Sequence, residues 1–282
     1  MSSCAGVVLA GGRSSRMGSA KAALEWHGST LLRRTAGIIG RFGPVVVVRA
    51  AGQELPGLPQ AVRVVDDPRE GMGPLQGIAA GLAAVAGQAD YAFVCSTDLP
   101  FLHPAFVRLM LRTAAAAPGR SGPDVALPLA RGFPQPLAAA YRTALAPAAE
   151  RLVAAGRLRP AFLFDECEVT RLDDAALLAD PMLAALDPDL DSVLNVNDPA
   201  GYHAARKRAA PEVTVQRFGT LADGHRGPQA VRAATVGEAA AAVGVALDGH
   251  VVAALNGDQI TRDDQVPLAR GDTVFFSPTP TG

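Results

Sequence analysis

A glycine-rich run set directly behind a short apolar one is the feature that most constrains this chain. Gly6-Val7-Val8-Leu9-Ala10 leads into Gly11-Gly12-Arg13-Ser14-Ser15-Arg16-Met17-Gly18-Ser19-Ala20-Lys21, and a segment with helical spacing follows. A strand, a glycine-rich turn and a helix in that order aim backbone N–H groups at an anion. Gly11 and Gly12 carry no side chain to hold a polyphosphate at a distance, while Arg16 and Lys21 add two cations to the same loop. An ordinary strand-to-helix connection would account for a bare pair of glycines, but not for the spaced cations and Gly18 as well. The run is no Walker A loop, because Gly18 is followed by Ser19-Ala20-Lys21. The order Gly11-Gly12-Arg13 also breaks the G-x-G-x-x-G dinucleotide fingerprint.

The rest of the first two hundred residues alternates in the same sense. Residues 6–10, 45–49, 62–66, 91–96 and 125–129 read as strands, and 31–41, 75–86, 104–116 and 145–155 as helices. Val45-Val46-Val47-Val48 is apolar at every position, as a strand buried on both faces requires. Strands of that kind alternating with helices predict an α/β fold, a doubly wound, mostly parallel, Rossmann-like sheet. Its site is expected at the carboxyl ends of the strands. With 282 residues, 49% of them hydrophobic, the chain can bury one large core or two unequal ones. A formal net charge of −1 offers no bulk attraction to nucleic acid or anionic membranes. No apolar run approaches the ~18 residues of a spanning helix, and Met1-Ser2-Ser3-Cys4 lacks a basic leader region. The expectation is a cytoplasmic protein with neither nucleic acid nor membrane as partner. Cys4, Cys95 and Cys167 are odd in number and widely spaced, which predicts reduced thiols rather than a disulfide or zinc framework.

The alternation stops near Ala204-Ala205-Arg206-Lys207-Arg208-Ala209-Ala210-Pro211, a basic helix end and linker. Beyond it, Val213-Thr214-Val215-Gln216-Arg217-Phe218 alternates like a half-buried strand, Thr235 precedes a short helical stretch, and residues 251–255 and 274–276 read as further strands. Asn256-Gly257 is a hairpin turn signal. Two domains are predicted, residues 1–208 and a small α+β domain over 212–282.

Several side chains stand where chemistry would need them. Asp98 follows a buried strand in Ser96-Thr97-Asp98-Leu99-Pro100. Alone it would be a turn or helix-cap aspartate, but a triphosphate needs magnesium and magnesium needs carboxylate oxygen, which makes Asp98 the candidate metal ligand. Asp67, before Pro68, is either a turn residue or an acceptor for a guanine edge or ribose hydroxyl. Gly73-Pro74-Leu75-Gln76-Gly77 is either a helix start or a place where a flat base can approach the backbone. Asn195 and Asn197 are two residues apart, which in an extended segment puts both amides on one face. Gln135-Pro136 is a weaker candidate. The five histidines are scattered and carry no assigned role, and Trp26 is expected to pack rather than to stack on a base.

Residues 9–21 resemble the L-A-[GA]-G-x-S-x-R-M-G-x-x-K signature of nucleotidyltransferases. Together with Asp67, Gly73-Pro74-Leu75, Asp98 with Pro100, Gln135-Pro136 and Leu194-Asn195-Val196-Asn197-Asp198-Pro199, they make residues 5–202 similar to the molybdenum cofactor guanylyltransferase family. The resemblance implies transfer of GMP from GTP to the terminal phosphate of molybdopterin, with Mg2+ as cofactor and pyrophosphate released. It implies that Leu9, Ala10, Gly11, Gly12, Lys21, Asp67, Gly73, Pro74, Leu75 and Asp98 contact nucleotide and that Asp98 holds the metal. Gln135, Asn195 and Asn197 would face the pterin acceptor. Gly12 with Gly73-Pro74-Leu75 favours guanylyl over cytidylyl relatives. The chain departs from the family pattern at Ala20, where aspartate often precedes the lysine, and at Arg49, where asparagine is common. The acceptor phosphate is already a nucleophile at neutral pH, so Arg16, Lys21 and Asp98 suffice as catalytic residues to align in-line attack and neutralise the leaving group.

The tail resembles a β-grasp, ubiquitin-like sulfur carrier, similar to the small subunit of molybdopterin synthase and the thiamine-pathway carrier. Residues 213–218, 235–243 and 252–257 and the run Pro267-Leu268-Ala269-Arg270-Gly271-Asp272-Thr273-Val274 carry the likeness. It implies an adenylating enzyme and the synthase large subunit as partners and Gly282 as the carrier terminus, although Thr281-Gly282 stands where such carriers end in Gly-Gly. A retained domain with a binding or dimerising role is the other reading. Two rivals to the whole assignment stay open: a nucleotidyltransferase using CTP or a sugar or alditol phosphate, and a non-catalytic nucleotide-binding sulfur carrier.

Overall fold

Alternate residues of the first strands serve two different cores. Val8, Val47, Phe93 and Cys95 face one cluster with Leu32, Ile39, Phe106 and Met110. Val7, Val46, Val48 and Val94 face the other, with Leu75, Ile78, Leu82 and Leu152. A strand with a two-residue period can be apolar throughout only if both of its faces are covered, and each Val or Leu so buried contributes ~1.5–3 kcal/mol relative to exposure. The computed structural model describes residues 3–11, 21–69, 71–115, 122–222 and 227–279.

The resulting sheet has eight strands. Its order is Val169–Asp173, Val125–Ala130, Ala138–Arg142, Tyr91–Ser96, Cys4–Leu9, Val45–Ala50 and Arg63–Asp67, with Phe133–Pro134 pairing beside Val125–Ala130. All neighbours on the main path are parallel except Ala138–Arg142, which runs antiparallel to both of its partners. Helices Leu31–Ile39 and Pro104–Ala114 cover one face, and Gly73–Val85 and Ala146–Ala154 the other. Thr30 caps the first of these by accepting from Arg33 N at 3.2 Å. The Rossmann-like, mostly parallel sheet is therefore as expected. The Ala138–Arg142 strand is not: Ala-Ala-Ala has no β-branched residue, yet the strand pairs with a neighbour on either side and these small side chains are buried.

The second sheet has five strands in the order Gln229–Arg232, Glu212–Arg217, Thr273–Pro278, Val251–Leu255 and Gln259–Thr261. Its first and last strands in sequence, Glu212–Arg217 and Thr273–Pro278, are parallel neighbours, and the other pairs are antiparallel. Helix Val236–Ala242 packs on it through Val236, Ala239 and Ala240, against Val213, Val215, Leu268, Val274 and Phe276. Thr235 caps that helix, accepting from Glu238 N at 3.2 Å, as the sequence predicts.

The two sheets are joined by charged contacts between helix Leu31–Ile39 and its following turn on one side and residues 263–272 on the other. Arg41 forks onto Asp272, Nη1 to Oδ1 and Nη2 to Oδ2 at 2.9 Å each, and Arg33 pairs with Asp263. Among the described residues, no helix is long and apolar enough to cross a membrane.

Candidate active site

Lys21 opens a short helical turn, Lys21–Ala23, just after the glycine-rich run. Its ammonium donates to Asp98 Oδ2 at 2.9 Å and to Asn197 Oδ1 at 2.8 Å. One cation thus ties together residues 77 and 176 positions apart in sequence. Asp98 lies just past the carboxyl end of the Tyr91–Ser96 strand, and its other oxygen, Oδ1, accepts from Ser96 Oγ. The Asp98 carbonyl accepts from Val196 N at 3.0 Å, and the Val196 side chain is buried with Trp26, Leu31 and Ala205. That anchoring leaves Asn195 and Asn197 exposed on either side of a buried residue, so their amides share the cleft side as the spacing predicts. Trp26 is 4% exposed and meets Phe101 edge-on at 5.7 Å, a packing role.

Two cavities flank the carboxyl ends of the strands. One, of about 430 Å³, is lined by Leu9, Gly11, Asp67, Gly73, Pro74 and Gly77 among others. The other, of about 420 Å³, has Ala10, Lys21, Gln53, Asp98, Gln135 and Asn195 in its wall. Leu9, Gly11, Ser96 and Leu137 line both, which makes them the ridge between two halves of one cleft. A side chain at Gly11 would bring its Cβ to 3.1 Å from Ala50 N, so glycine lets the two strand ends approach. Gly73 has φ +72°, a left-handed conformation that starts the Gly73–Val85 helix with Pro74 in its first turn.

Burial pushes the Asp67 carboxyl above the usual aspartate range, and a hydrogen bond from Arg69 N to Oδ1 at 3.1 Å opposes the shift. Burial, with a smaller contribution from Asp98, also drives the Cys95 thiol far up; it is not a nucleophile.

The cleft therefore gathers Leu9, Ala10, Gly11, Lys21, Asp67, Gly73, Pro74, Asp98, Gln135, Asn195 and Asn197. Leu75 departs from the expectation, because its side chain is fully buried in the core beneath and leaves only its backbone for the cleft. Gly12, Arg16 and Gly282 lie outside the described residues. Arg49 is a brace: Nε donates to Asp66 Oδ1 at 2.7 Å and Nη1 to Gln53 O at 3.0 Å. Besides Ser96 and Thr97, Gln53 is a cleft residue that sequence reasoning missed. Its Nε2 donates to Ala10 O at 3.0 Å and its Oε1 accepts from Ala50 N at 3.0 Å, fixing the exit of the first strand against the second. No spacing or residue class marks Gln53 in the sequence; only the pairing of two distant strand ends does.

A mostly parallel sheet whose strand ends converge on Gly11, Lys21 and Asp98 defines a nucleotide-handling α/β protein of the nucleotidyltransferase type. Residues 6–168 match the model of the MobA-like NTP transferase domain. A Mycobacterium bovis protein described as a probable molybdenum cofactor guanylyltransferase is 39% identical over 204 residues, covering 71% of this chain and 92% of that one. Its Mycobacterium ulcerans counterpart, described in the same words, is 41% identical over 189 residues, 65% of this chain and 90% of the relative. Among solved structures, the molybdopterin-guanine dinucleotide biosynthesis protein A of Archaeoglobus fulgidus superposes with a TM-score of 0.56 at 22% identity. That match covers 72% of this chain and 97% of the other and shares the fold. The chain belongs to the MobA-like NTP transferase family.

Proposed function

We propose that the chain transfers GMP from GTP to the terminal phosphate of molybdopterin, releasing pyrophosphate. The observation that carries this reading is Lys21 held between Asp98 and Asn197, because it joins the phosphate loop, the metal-side carboxylate and the acceptor-side amide at one point. Kinship with guanylyltransferases at 39% identity supports GTP and a pterin as the substrates.

The donor set fits magnesium, a hard cation that takes one or two carboxylates plus substrate phosphates rather than an all-protein cage. Asp98 offers carboxylate oxygen beside the Ser96 hydroxyl, and no cluster of three or more metal-ligating side chains occurs among the described residues. Asp98 would hold Mg2+, which when bound neutralises triphosphate charge. Lys21, within reach of Asp98, would follow the α-phosphate oxygens as charge builds on them. The backbone of residues 9–11 would carry the phosphates, with Arg16 as the second cation of the loop. Asp67, Gly73 and Pro74 border the half of the cleft that would take the base and ribose. Gln135 and Asn195 border the other half, where the pterin would sit. The acceptor phosphate needs no base to activate it, so alignment and charge neutralisation carry the reaction.

The tail, residues 212–282, is read as a separate β-grasp domain following a nucleotidyltransferase domain over 1–208. Support comes from the five-stranded order with parallel first and last strands and one helix across the sheet. As a sulfur carrier it would engage an adenylating enzyme and a molybdopterin synthase large subunit.

Pyrophosphate release measured with GTP and with CTP, with and without molybdopterin, tests the transfer. Release is expected with GTP and pterin together, and Lys21→Ala should cut turnover by about 10²-fold or more with the fold intact. Release from neither nucleotide would favour the non-catalytic reading.

A further inference from the structure

The segment that carries Asp98 is held from behind by a buried cation. Arg34, on helix Leu31–Ile39, is 7% exposed. Its Nε donates to Pro100 O and its Nη1 donates to Leu268 O at 3.1 Å. The two acceptors are backbone carbonyls on opposite sides of the junction between the sheets. Pro100 follows closely on Asp98, and Leu268 lies in the turn that leads into the Thr273–Pro278 strand. Burial draws the Arg34 pKa down to about 10, with Arg41 adding to the shift and Asp272 opposing it, so the group stays charged at neutral pH.

His103 repeats the arrangement at the other end of the segment. Its Nδ1 accepts from Ala105 N at 3.1 Å, which puts the ring proton on Nε2, and that nitrogen donates to Arg270 O at 3.0 Å. Burial lowers its pKa and keeps the ring neutral. Residues 100–103 are thus bridged at both ends to residues 268–270, while the Asp98 carbonyl is held by Val196 N. A buried guanidinium that loses one acceptor is left with unsatisfied donors in low dielectric, so displacement of either partner is costly to the other.

We infer that Arg34 is a positioning residue for nucleotidyl transfer: it sets the Asp98 loop through Pro100 and makes that setting depend on the docked C-terminal unit through Leu268. The inference rests on the role given to Asp98 above. A planar guanidinium presents donors along two edges and can serve two carbonyls in different directions, whereas a lysine ammonium on its single stem cannot hold both in the same way. The C-terminal unit then acts on the reaction although none of its described residues lines the cleft.

Full-length Arg34→Met and Arg34→Lys test this by magnesium titration of pyrophosphate release at saturating GTP and molybdopterin. Hydrogen exchange of residues 96–103 and 266–272 is followed alongside. Arg34→Met should raise the half-saturating Mg2+ concentration by about 10-fold and lower kcat. The KM for GTP should change by less than about two-fold, and exchange should rise in both segments together. Arg34→Lys should show the same pattern more weakly, and it decides the matter if the Met variant does not fold. A folded variant with wild-type magnesium dependence, or one in which only residues 266–272 exchange faster, would overturn the inference. Exchange over 96–103 reads the coupling whether or not GTP turns over, so an inactive wild-type protein would refute the reaction and leave the coupling to be judged separately.

Discussion

Asp67 and Asp98 stand at the carboxyl ends of two strands that Cys4–Leu9 and Val45–Ala50 separate, and their surroundings differ. Asp98 bonds to the Lys21 ammonium and the Ser96 hydroxyl. Asp67 is pushed upward by burial, with only the Arg69 N–H opposing. Its charged form is the one that burial penalises, so the folded state keeps the proton to higher pH than the unfolded state does. Stability therefore falls as pH rises from the free-aspartate value through the raised one. If Asp67 accepts from the guanine or ribose, the KM for GTP should climb as pH drops through that same raised value. Asp67→Asn should then gain stability near neutrality, weaken GTP and flatten the acid limb of the KM profile, as denaturant titration and pH-dependent kinetics would report. A variant with unchanged KM and the same acid limb would remove Asp67 from nucleotide binding. The sequence marked Asp98 as a candidate through the glycine-rich loop and Asp67 through its strand end and the family resemblance. It could not mark Gln53, whose role exists only because Ala10 and Ala50 end adjacent strands.

At the scale of elements, the helix that begins at Gly73 positions one half of the cleft. Its start depends on a left-handed residue, and an added Cβ would lie 3.1 Å from Leu158 O. Gly73→Ala should cost about 1–2 kcal/mol by urea unfolding and raise the KM for GTP, since Pro74 moves with the turn. Wild-type stability and KM together would mean that the turn adapts freely. Most of the elements were legible because buried parallel strands are apolar at every position and their helices carry clear stripes. The Ala138–Arg142 strand escaped because alanine runs signal helix when read locally, and only the slot between Val125–Ala130 and Tyr91–Ser96 makes them a strand. Likewise, Leu75 follows two cleft residues in sequence but turns into the core, a direction set by helix phase.

For the molecule as a whole, the junction between the sheets carries buried charge beside the apolar contact that Ala269 makes with the main core. The Arg41 and Asp272 side chains are 11% and 8% exposed, and Asp272 also accepts from Asn256 Nδ2 and Ala269 N. Removing one member of such a pair leaves the other unpaired, and Arg41→Gln should cost about 3 kcal/mol in denaturant unfolding. A loss indistinguishable from zero would mean that solvent or the neighbouring amides replace the guanidinium. The change of periodicity near Pro211, where the second sheet begins, was visible in the sequence; the contacts across the junction were not, because Arg33, Arg34 and Arg41 read locally as a helix's polar face. The central claim is the transfer itself, and GTP labelled at the α-phosphate tests it most directly, incubated with the protein, Mg2+ and molybdopterin and followed by chromatography of the pterin product. Label carried into a pterin–guanine dinucleotide, dependent on Lys21 and Asp98, is the expected result. Label that stays in GTP or appears only as free GMP or GDP would contradict it.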